Sequence, residues 1–268
     1  MFRAKGPICA ALREVYGEDL RAVYDKSSGT APFKAGLDLV DGYLWKAPGF
    51  ESDELAVLEG GNKFLVNWVQ GQKTGFFLDQ KYNRLAVSRI AEGKKVLDCF
   101  THTGSFALHA GHFGAKDVHG VDISAYACQF AAENARINGL SDTVSFVEAN
   151  AFDLLSDESR RGVHYDTIIL DPPAFTKSRA TVEKASKGYK EINLRALKMI
   201  RPGGFLVTCS CSQHVLPPAF LEIIRDAARD ARVQLRQIEY RTQGKDHPIL
   251  PGAPETQYLK CAIFQIFA

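Results

Sequence analysis

The chain has 268 residues, enough for one large domain with a smaller appendage, and its apolar fraction of 46% is typical of a globular protein. No window approaches the roughly eighteen uncharged apolar residues of a membrane span. The first residues form too short an apolar run for a signal peptide, so a cytoplasmic protein without a membrane partner is expected. The formal net charge of +2 neither indicates nor excludes a nucleic-acid partner, because basic residues act by clustering.

Cysteines are scattered along the chain without any CxxC pair. They are Cys9, Cys99, Cys128, Cys209, Cys211 and Cys261. This spacing indicates neither a disulfide framework nor a zinc site. Reduced thiols and no bound metal are therefore expected.

Residues 1–69 have the pattern of a small α+β module. A short helix is predicted over residues 8–16 and a strand over 21–24. Two further β-like runs, 54–60 and 63–69, are separated by a glycine-containing turn. The chain starts within a partial helix and without a preceding strand, which leaves open that it is a piece of a longer protein.

A larger α/β domain is predicted from residue 70 to the end of the chain. From about residue 96, β-rich apolar runs alternate with stretches of helical period, which is typical of a mostly parallel sheet covered on both faces. The predicted strands are 94–100, 116–122, 143–150, 165–171, 205–212, 233–240 and 258–267. The last two are joined by a Pro/Gly-rich loop without room for a helix, so they are expected to pair antiparallel at one end of the sheet.

Polar side chains follow three successive predicted strands, where ligands bind in doubly wound sheets. Asp98 begins a loop that contains one glycine, so it lacks the GxGxxG pattern of a pyrophosphate site. A carboxylate there would repel a pyrophosphate but attract the ammonium group of a methionine moiety. Asp122 could bind ribose hydroxyls, and Asn150 with Ala151 could contact an adenine. Each of these polar residues could instead be a helix N-cap or a solvated strand end.

Two further strand ends carry candidate chemistry. Asp171 precedes two prolines and an aromatic residue, a rigid segment that could present an acid to a planar base. Cys209 and Cys211 are two residues apart and would share one face of a strand, with Cys211 nearer its carboxyl end. Buried strands commonly contain cysteine for packing alone. A thiolate that adds to carbon 6 of a pyrimidine would, however, make carbon 5 nucleophilic.

These segments include the motifs KTGFFLDQ, VLDCFTHTGSFALHA, VDIS, DPPAF, KGYKEIN, PGGFLVTCSCS, DHP and PETQYLK. Together they resemble the bacterial large-subunit rRNA cytosine-5 methyltransferases of the RlmI type. The resemblance extends over nearly the whole chain from about Tyr16. It implies a Rossmann-like, seven-stranded class I methyltransferase domain that binds S-adenosylmethionine and acts on RNA, with rRNA as the expected partner; a homodimer is also considered.

The resemblance implies roles for individual residues. In that family the nucleophile lies seven residues past the second glycine of a GG turn, and counting from Gly204 reaches Cys211. Cys211 would attack carbon 6 of a cytosine while Asp171 hydrogen-bonds or protonates ring nitrogen 3. The implied cofactor contacts are Phe76, Asp79, Arg84, Asp98, Phe100, Thr103, Gly104, Asp122, Ile123, Asn150, Ala151 and Asp171. Taken alone, Asp79 could equally be a helix N-cap with a hydrophobic staple.

The chain departs from the family pattern at several places. His102 and Ser105 stand where Tyr and Gly are usual, and Asn150 stands where Asp is common. Family members usually begin with a PUA RNA-binding domain, which this sequence lacks. These departures affect the predicted contacts with the methionine and adenine ends of the cofactor. They also affect the expected affinity for RNA.

Basic residues are concentrated in the segment after the DPPAF motif. They are Lys177, Arg179, Lys184, Lys187 and Lys190, with Glu183 as the one acid among them. A run of this kind is usually a solvated helix face. Its position beside the expected target base also makes it a candidate RNA phosphate contact.

Two other functions fit the same residues. An enzyme that methylates a guanine or an exocyclic amine would use the Asp171 segment without a nucleophile, and Cys211 would then be packing. A catalytically silent RNA-binding protein could also have kept the cofactor fold.

Overall fold

The computed structural model describes residues 2–28, 39–176 and 178–267. They form two compact units: unit 1 comprises Met1–Ala56 and Leu65–Phe76, and unit 2 comprises Val57–Phe64 and Phe77–Ala268. The boundary predicted at residue 69 falls within the second segment of unit 1. Across the described ranges, no helix combines the length and the apolar character needed to cross a membrane.

Unit 1 is built from short elements. They are α1 Lys5–Tyr16, β1 Ala22–Asp25, β2 Gly42–Lys46 and the pair β3 Glu54–Glu59 with β4 Asn62–Asn67, whose tip belongs to unit 2. β1 pairs with β2 antiparallel. The sequence does not predict β2, because none of its residues is fully buried and no alternation of apolar and polar residues marks it. α1 starts earlier than predicted, since Pro7 lies in its first turn, where a missing N–H costs no helical hydrogen bond.

Unit 2 alternates strands and helices. After α2 Lys81–Val87 come β5 Lys95–Cys99, α3 Ser105–His112, β6 Asp117–Asp122, α4 Ala125–Ile137, β7 Val144–Glu148, α5 Ala151–Arg160, β8 Tyr165–Leu170, α6 Val182–Met199, β9 Ile200–Ser210, α7 Pro217–Ala231, β10 Gln234–Arg241 and β11 Lys260–Phe267. The seven strands lie in the order β10-β11-β9-β8-β5-β6-β7. The predicted Rossmann-like, seven-stranded fold is confirmed.

The direction of the strands matches the prediction as well. β5 runs parallel to β6 and β8, while β11 runs antiparallel to both β9 and β10. The chain leaves β5 toward β6 and β7 and later returns to β8 on the other side. The order of strands therefore reverses at β5, and this is where a doubly wound sheet binds its ligands.

The core has one layer on each face of this sheet. Leu97 and Ile168 belong to a cluster with side chains of α5, α6 and α7. Val96 and Ile169 belong to a second cluster with side chains of α2 and α3. Neighbouring residues of one strand thus point to opposite layers, which is why the central strands are apolar without alternation.

Candidate active site

Asp98 is the most deeply buried carboxyl group at the carboxyl ends of the strands. Its side chain is fully buried, and Oδ2 accepts hydrogen bonds from Thr101 Oγ1 at 2.6 Å and from Ala107 N at 3.0 Å. No donor in the described part of the chain contacts Oδ1. Burial, followed by the nearby Asp171 and Asp122 carboxylates, raises the pKa of Asp98 to about 7. A cationic group at Oδ1 would satisfy this oxygen and stabilise its charge, so the residue fits the ammonium of S-adenosylmethionine.

The loop after β5 adopts a strained conformation. Phe100 and His102 have φ values of 65° and 50°, in the left-handed region that side chains other than glycine rarely occupy. The loop is anchored by two hydrogen bonds: Thr101 N donates to Val121 O at 2.9 Å, and His102 N donates to Asp122 Oδ2 at 2.9 Å. These bonds hold the loop across the ends of β5 and β6.

Gly104 and Thr103 complete the loop at the start of α3. Gly104 has φ 83°, and a Cβ there would lie 2.8 Å from Phe146 Cζ and 3.1 Å from the Ala131 Cβ. Thr103 is buried, and its carbonyl accepts a hydrogen bond from Asn134 Nδ2 at 3.1 Å. Both residues fix the shape of the loop, and their predicted contact with the cofactor stays a prediction.

Asp122 lies at the end of β6 and orders two backbone segments. Its Oδ1 accepts from Ser124 N at 3.0 Å, in addition to the bond from His102 to Oδ2. Ile123, between Asp122 and Ser124, is 71% exposed although it is large and apolar. An exposed apolar side chain beside a carboxylate suits a ligand with a flat ring and a ribose, which is the role predicted for this pair.

Asn150 is a helix N-cap. Its Oδ1 accepts a hydrogen bond from Phe152 N at 2.9 Å at the start of α5, so this alternative is the one observed. Ala151 is buried, and the Phe152 ring meets the Phe100 ring edge to face at 6.5 Å. Phe100 thus belongs to an aromatic wall, while the predicted contact of Asn150 with adenine stays a prediction.

Asp79 lies in a 3-10 helix, Leu78–Gln80, that has no side-chain cap. Its Oδ2 accepts a hydrogen bond from Tyr258 OH at 2.7 Å, and within the described residues Oδ1 is buried without a donor. The carboxyl group is therefore not an N-cap, and its predicted contact with the cofactor stays a prediction. Phe76 is buried in unit 1, so its predicted role at this site is not addressed by the structure of unit 2.

Arg84 forms a buried ion pair. It is 1% exposed and donates from Nε to Glu59 Oε1 at 2.6 Å and from Nη2 to Oε2 at 2.8 Å. His109 lies 3.7 Å from the same carboxylate, and burial lowers its pKa to about 4, so it is neutral at pH 7. Arg84 thus fastens the tip of the β3–β4 pair to α2, and its predicted cofactor contact stays a prediction.

Asp171 follows β8 and is oriented by Gln80. Gln80 Nε2 donates to Asp171 Oδ1 at 2.9 Å, and Gln80 Oε1 in turn accepts from Asn83 Nδ2 at 2.7 Å. Gln80 is 3% exposed, so this orientation is fixed from within the protein. The acid is set beside Asp98, whose pKa it raises.

The structure distinguishes the two cysteines of the TCSCS segment. Cys209 is fully buried in β9 opposite Cys261 of β11, and this thiol neighbour together with burial raises its pKa well above the usual value. β9 ends at Ser210, so Cys211 lies beyond the strand, and the rule that residues two apart share a face does not extend to it. Cys211 is partly exposed, and its Sγ lies 3.9 Å from Pro172 O.

The two serines around Cys211 are fixed from α6. Ser210 Oγ donates to Tyr189 OH at 3.0 Å, and Tyr189 OH is 2.9 Å from Ser212 Oγ. Tyr189 is fully buried. Its single hydroxyl thus holds the side chains of the residues before and after the partly exposed cysteine.

Two of the basic residues predicted to contact RNA phosphates already form ion pairs with acidic side chains. Lys187 pairs with Glu183 at 3.0 Å on α6, and Lys190 pairs with Asp230 of α7 at 2.7 Å. Arg179 and Lys184 are exposed and have no acidic partner among the described residues. Lys177 lies outside the described residues.

Sequence reasoning did not single out Gln80, Tyr258 or Lys260. Gln80 and Tyr258 contact the predicted acids, and Lys260 contacts the segment around Cys211. Tyr258 and Lys260 fall within the QYLK motif that carries the resemblance. Their contacts join positions far apart in the chain, so spacing could not reveal them.

Comparisons with known proteins show the family to which the chain belongs. Residues 44–265 match the model of a family described as S-adenosylmethionine-dependent methyltransferase. A relative from Shewanella denitrificans named ribosomal RNA large subunit methyltransferase I is 40% identical over 92% of this chain and 62% of its own length. A relative of the same name from Pseudoalteromonas translucida is 39% identical over 99% of this chain and 66% of its own.

A solved structure shares the fold. A protein from Streptococcus mutans, described as a SAM-dependent methyltransferase, superposes with a TM-score of 0.82 at 23% identity, covering 98% of this chain and 65% of that chain. The chain thus spans about two thirds of the length of the proteins it matches. Its match to the family model extends over most of its sequence and ends within the last strand of the large sheet, so the chain belongs to the family of S-adenosylmethionine-dependent methyltransferases.

Proposed function

We propose that the protein methylates carbon 5 of a cytosine in RNA, with large-subunit rRNA as the substrate, and that Cys211 is the nucleophile. The observation that carries this proposal is the partly exposed Cys211 thiol beside the Asp171–Pro172 segment, 3.9 Å from Pro172 O. The names of the curated relatives support rRNA as the substrate.

The site would bind the cofactor through three carboxyl groups. Asp98 would accept the ammonium at its unsatisfied oxygen, Asp122 the ribose hydroxyls, and Asp79 would contribute its second oxygen. Bound S-adenosylmethionine supplies an electrophilic methyl group. Ile123 and the Phe100–Phe152 wall would flank the adenine and exclude water from it.

The chain's own residues would activate the base. Cys211 Sγ forms a bond to carbon 6 while Asp171 hydrogen-bonds or protonates ring nitrogen 3, which gives carbon 5 the electron density to accept the methyl group. A base then removes the carbon-5 proton, the carbon–sulfur bond breaks, and the thiolate leaves. The target base must be single-stranded or flipped out, because pairing and stacking shield these atoms. Arg179 and Lys184, which are exposed, would contact its phosphates.

The proposal is tested with RNA that contains 5-fluorocytosine. Fluorine blocks the final loss of the carbon-5 substituent, so the protein and RNA should remain joined in a denaturing gel. The Cys211→Ala variant should form no adduct and should lose at least ~1000-fold in methyl transfer, because the covalent step is removed. Cys209→Ala is the matched control, since it removes a buried thiol two residues away and should keep activity.

Other outcomes would overturn the proposal. Full turnover by Cys211→Ala, with the methyl group mapped by mass spectrometry to a base nitrogen, would identify an enzyme that needs no nucleophile. Tight cofactor binding without methyl transfer into any cellular RNA would identify a silent RNA-binding protein.

A further inference from the structure

Lys260 is a lysine buried at the edge of the site, next to the segment that contains Cys211. It begins β11 and is 2% exposed. Its Nζ donates to Ser212 O at 2.7 Å and to Tyr258 O at 2.9 Å. Lysine is among the residues least often buried, because its ammonium loses hydration without a full set of partners. Two neutral carbonyl groups do not fully replace the lost hydration of the ammonium group. Hydrogen bonding alone therefore does not explain a lysine at this position.

The contact with Ser212 places the ammonium group against the backbone of the residue that follows Cys211. In the sheet, Lys260 pairs with Ser210, the residue that precedes Cys211. Tyr189 hydrogen-bonds to the side chains of the same two serines. The residues before and after Cys211 are thus held by a hydroxyl group on α6 and an ammonium group on β11, while Cys211 itself is partly exposed.

Neutral, acidic and basic side chains all affect the charge state of Cys211. Tyr189 and Tyr258 also face it, and burial raises the pKa of both, so both are neutral. The carboxyl groups of Asp171, on the segment after β8, and of Asp79, which Tyr258 contacts, oppose a thiolate whenever they are ionised. Lys260 supplies a positive charge that acts on the thiol. Burial lowers the pKa of Lys260 to about 8, and Cys211 acts in the opposite direction, as expected of two groups that stabilise each other's charge.

We propose that Lys260 is a positioning residue for Cys211: its ammonium group stabilises the thiolate and holds the Ser212 backbone so that the sulfur faces the target base. A thiolate is the reactive form of cysteine, and an adjacent lysine favours it. The role of Lys260 in catalysis rests on the proposed function, whereas its electrostatic effect on the Cys211 thiol does not.

The charge effect is measured by the alkylation of Cys211. The full chain is treated with iodoacetamide between pH 6 and 9.5, and modification of each cysteine is followed by peptide mass spectrometry. The wild-type thiol should react with a midpoint below the ordinary value of about 8.5. In Lys260→Met the midpoint should rise by about one pH unit, which lowers the rate at pH 7 about tenfold. The other five cysteines are buried and report on whether the fold is retained.

Further variants separate charge from structure. Lys260→Gln keeps hydrogen-bond donors without the charge and should behave like Lys260→Met, whereas Lys260→Arg keeps the charge and should stay near the wild-type profile. A wild-type midpoint at or above 8.5 would overturn the proposal without any variant, as would a folded Lys260→Gln protein whose profile coincides with that of the wild type. Faster alkylation of the five buried cysteines would identify a variant that has lost its fold.

This experiment needs neither RNA nor cofactor, so its result is independent of the proposed reaction. If Lys260→Gln shifts the alkylation profile while Cys211→Ala retains turnover, the charge effect stands and the nucleophile assignment fails. If the reaction proceeds through Cys211, the pH profile of kcat should shift toward alkaline pH in Lys260→Gln, a change that a purely structural role would not produce.

Discussion

The raised pKa of Asp98 makes its carboxyl group a candidate for coupling cofactor binding to pH. Its pKa of about 7 is caused first by burial and then by Asp171 and Asp122. At neutral pH the group is therefore close to half protonated when no ligand is bound. A cation at Oδ1 favours the ionised form, so binding must release the proton wherever the group is protonated.

We predict that the affinity for S-adenosylmethionine rises as the pH is raised from 6 to 8. Below pH 7 the loss approaches tenfold per pH unit, because each bound cofactor displaces one proton. Calorimetric titrations at pH 6, 7 and 8 measure this dependence. Asp98→Asn should bind more weakly and lose the slope, whereas Asp122→Asn should bind more weakly but keep it. An unchanged slope in Asp98→Asn would contradict the assignment.

The raised pKa of Asp98 also affects the free energy of unfolding, which should fall as the pH rises, whereas the affinity for the cofactor should rise. A carboxyl group whose pKa is raised on folding contributes stability that is present below its unfolded value of 3.8 and is lost as the pH rises through about 7. That rise corresponds to on the order of 4 kcal/mol at most. Without cofactor, Asp98→Asn should therefore gain in melting temperature relative to the wild type at pH 8 but not at pH 4.

At the scale of an element, the start of α3 depends on one glycine. Gly104 combines a positive φ with contacts that leave no room for a Cβ, because Phe146 and Ala131 lie against it. The loop from Asp98 to α3 can close over the strand ends only in this conformation.

Gly104→Ala should lower the free energy of unfolding by about 2 to 4 kcal/mol, since left-handed strain and a steric clash add together. Urea denaturation measures the change. Gly162→Ala is the matched control: Gly162 also has a positive φ, 68°, but nothing lies within 4 Å of its Cβ position. The control should lose only about 1 kcal/mol. Equal losses at the two sites would show that packing against Phe146 is unimportant.

At the scale of the whole molecule, one buried ion pair joins distant parts of unit 2. The Glu59 carboxylate comes from the tip of the β3–β4 pair, Arg84 from α2, and His109 from α3. Lys63, from the same tip, is hydrogen-bonded through its backbone to Asn138 after α4.

Glu59→Gln should destabilise the protein by roughly 3 to 5 kcal/mol, because it leaves the Arg84 charge buried without its carboxylate. The double variant Glu59→Gln, Arg84→Met should recover much of this loss, since both charges are then removed. Chemical denaturation of the two single variants and the double variant gives the coupling between them. Independent, additive losses would mean that the pair contributes little.

The sequence alone predicted the seven strands and the antiparallel end of the sheet, because apolar periodicity reflects which faces are buried. It did not predict β2, whose residues are only half-buried. It also identified the residues at the ends of strands, because the position of a residue after a strand depends only on nearby sequence. These residues are Asp98, Asp122, Asp171 and Cys211. For Asn150 the same position also allowed a helix N-cap, which is the contact observed. Arg84 was predicted from the family resemblance, and its buried ion pair with Glu59 was not predicted.

Only the tertiary structure decided the environment of those side chains. Whether Cys209 or Cys211 is accessible depends on Cys261 across the sheet and on where β9 ends. The partners of Asp79, Asp171 and Cys211 come from elements up to 179 positions away in the chain, as for Asp79 and Tyr258. Asp98 and Lys260 become buried only when such elements pack together, and burial changes the protonation of both side chains. Local sequence therefore identifies the candidate residues, whereas packing determines their protonation and the groups that they contact.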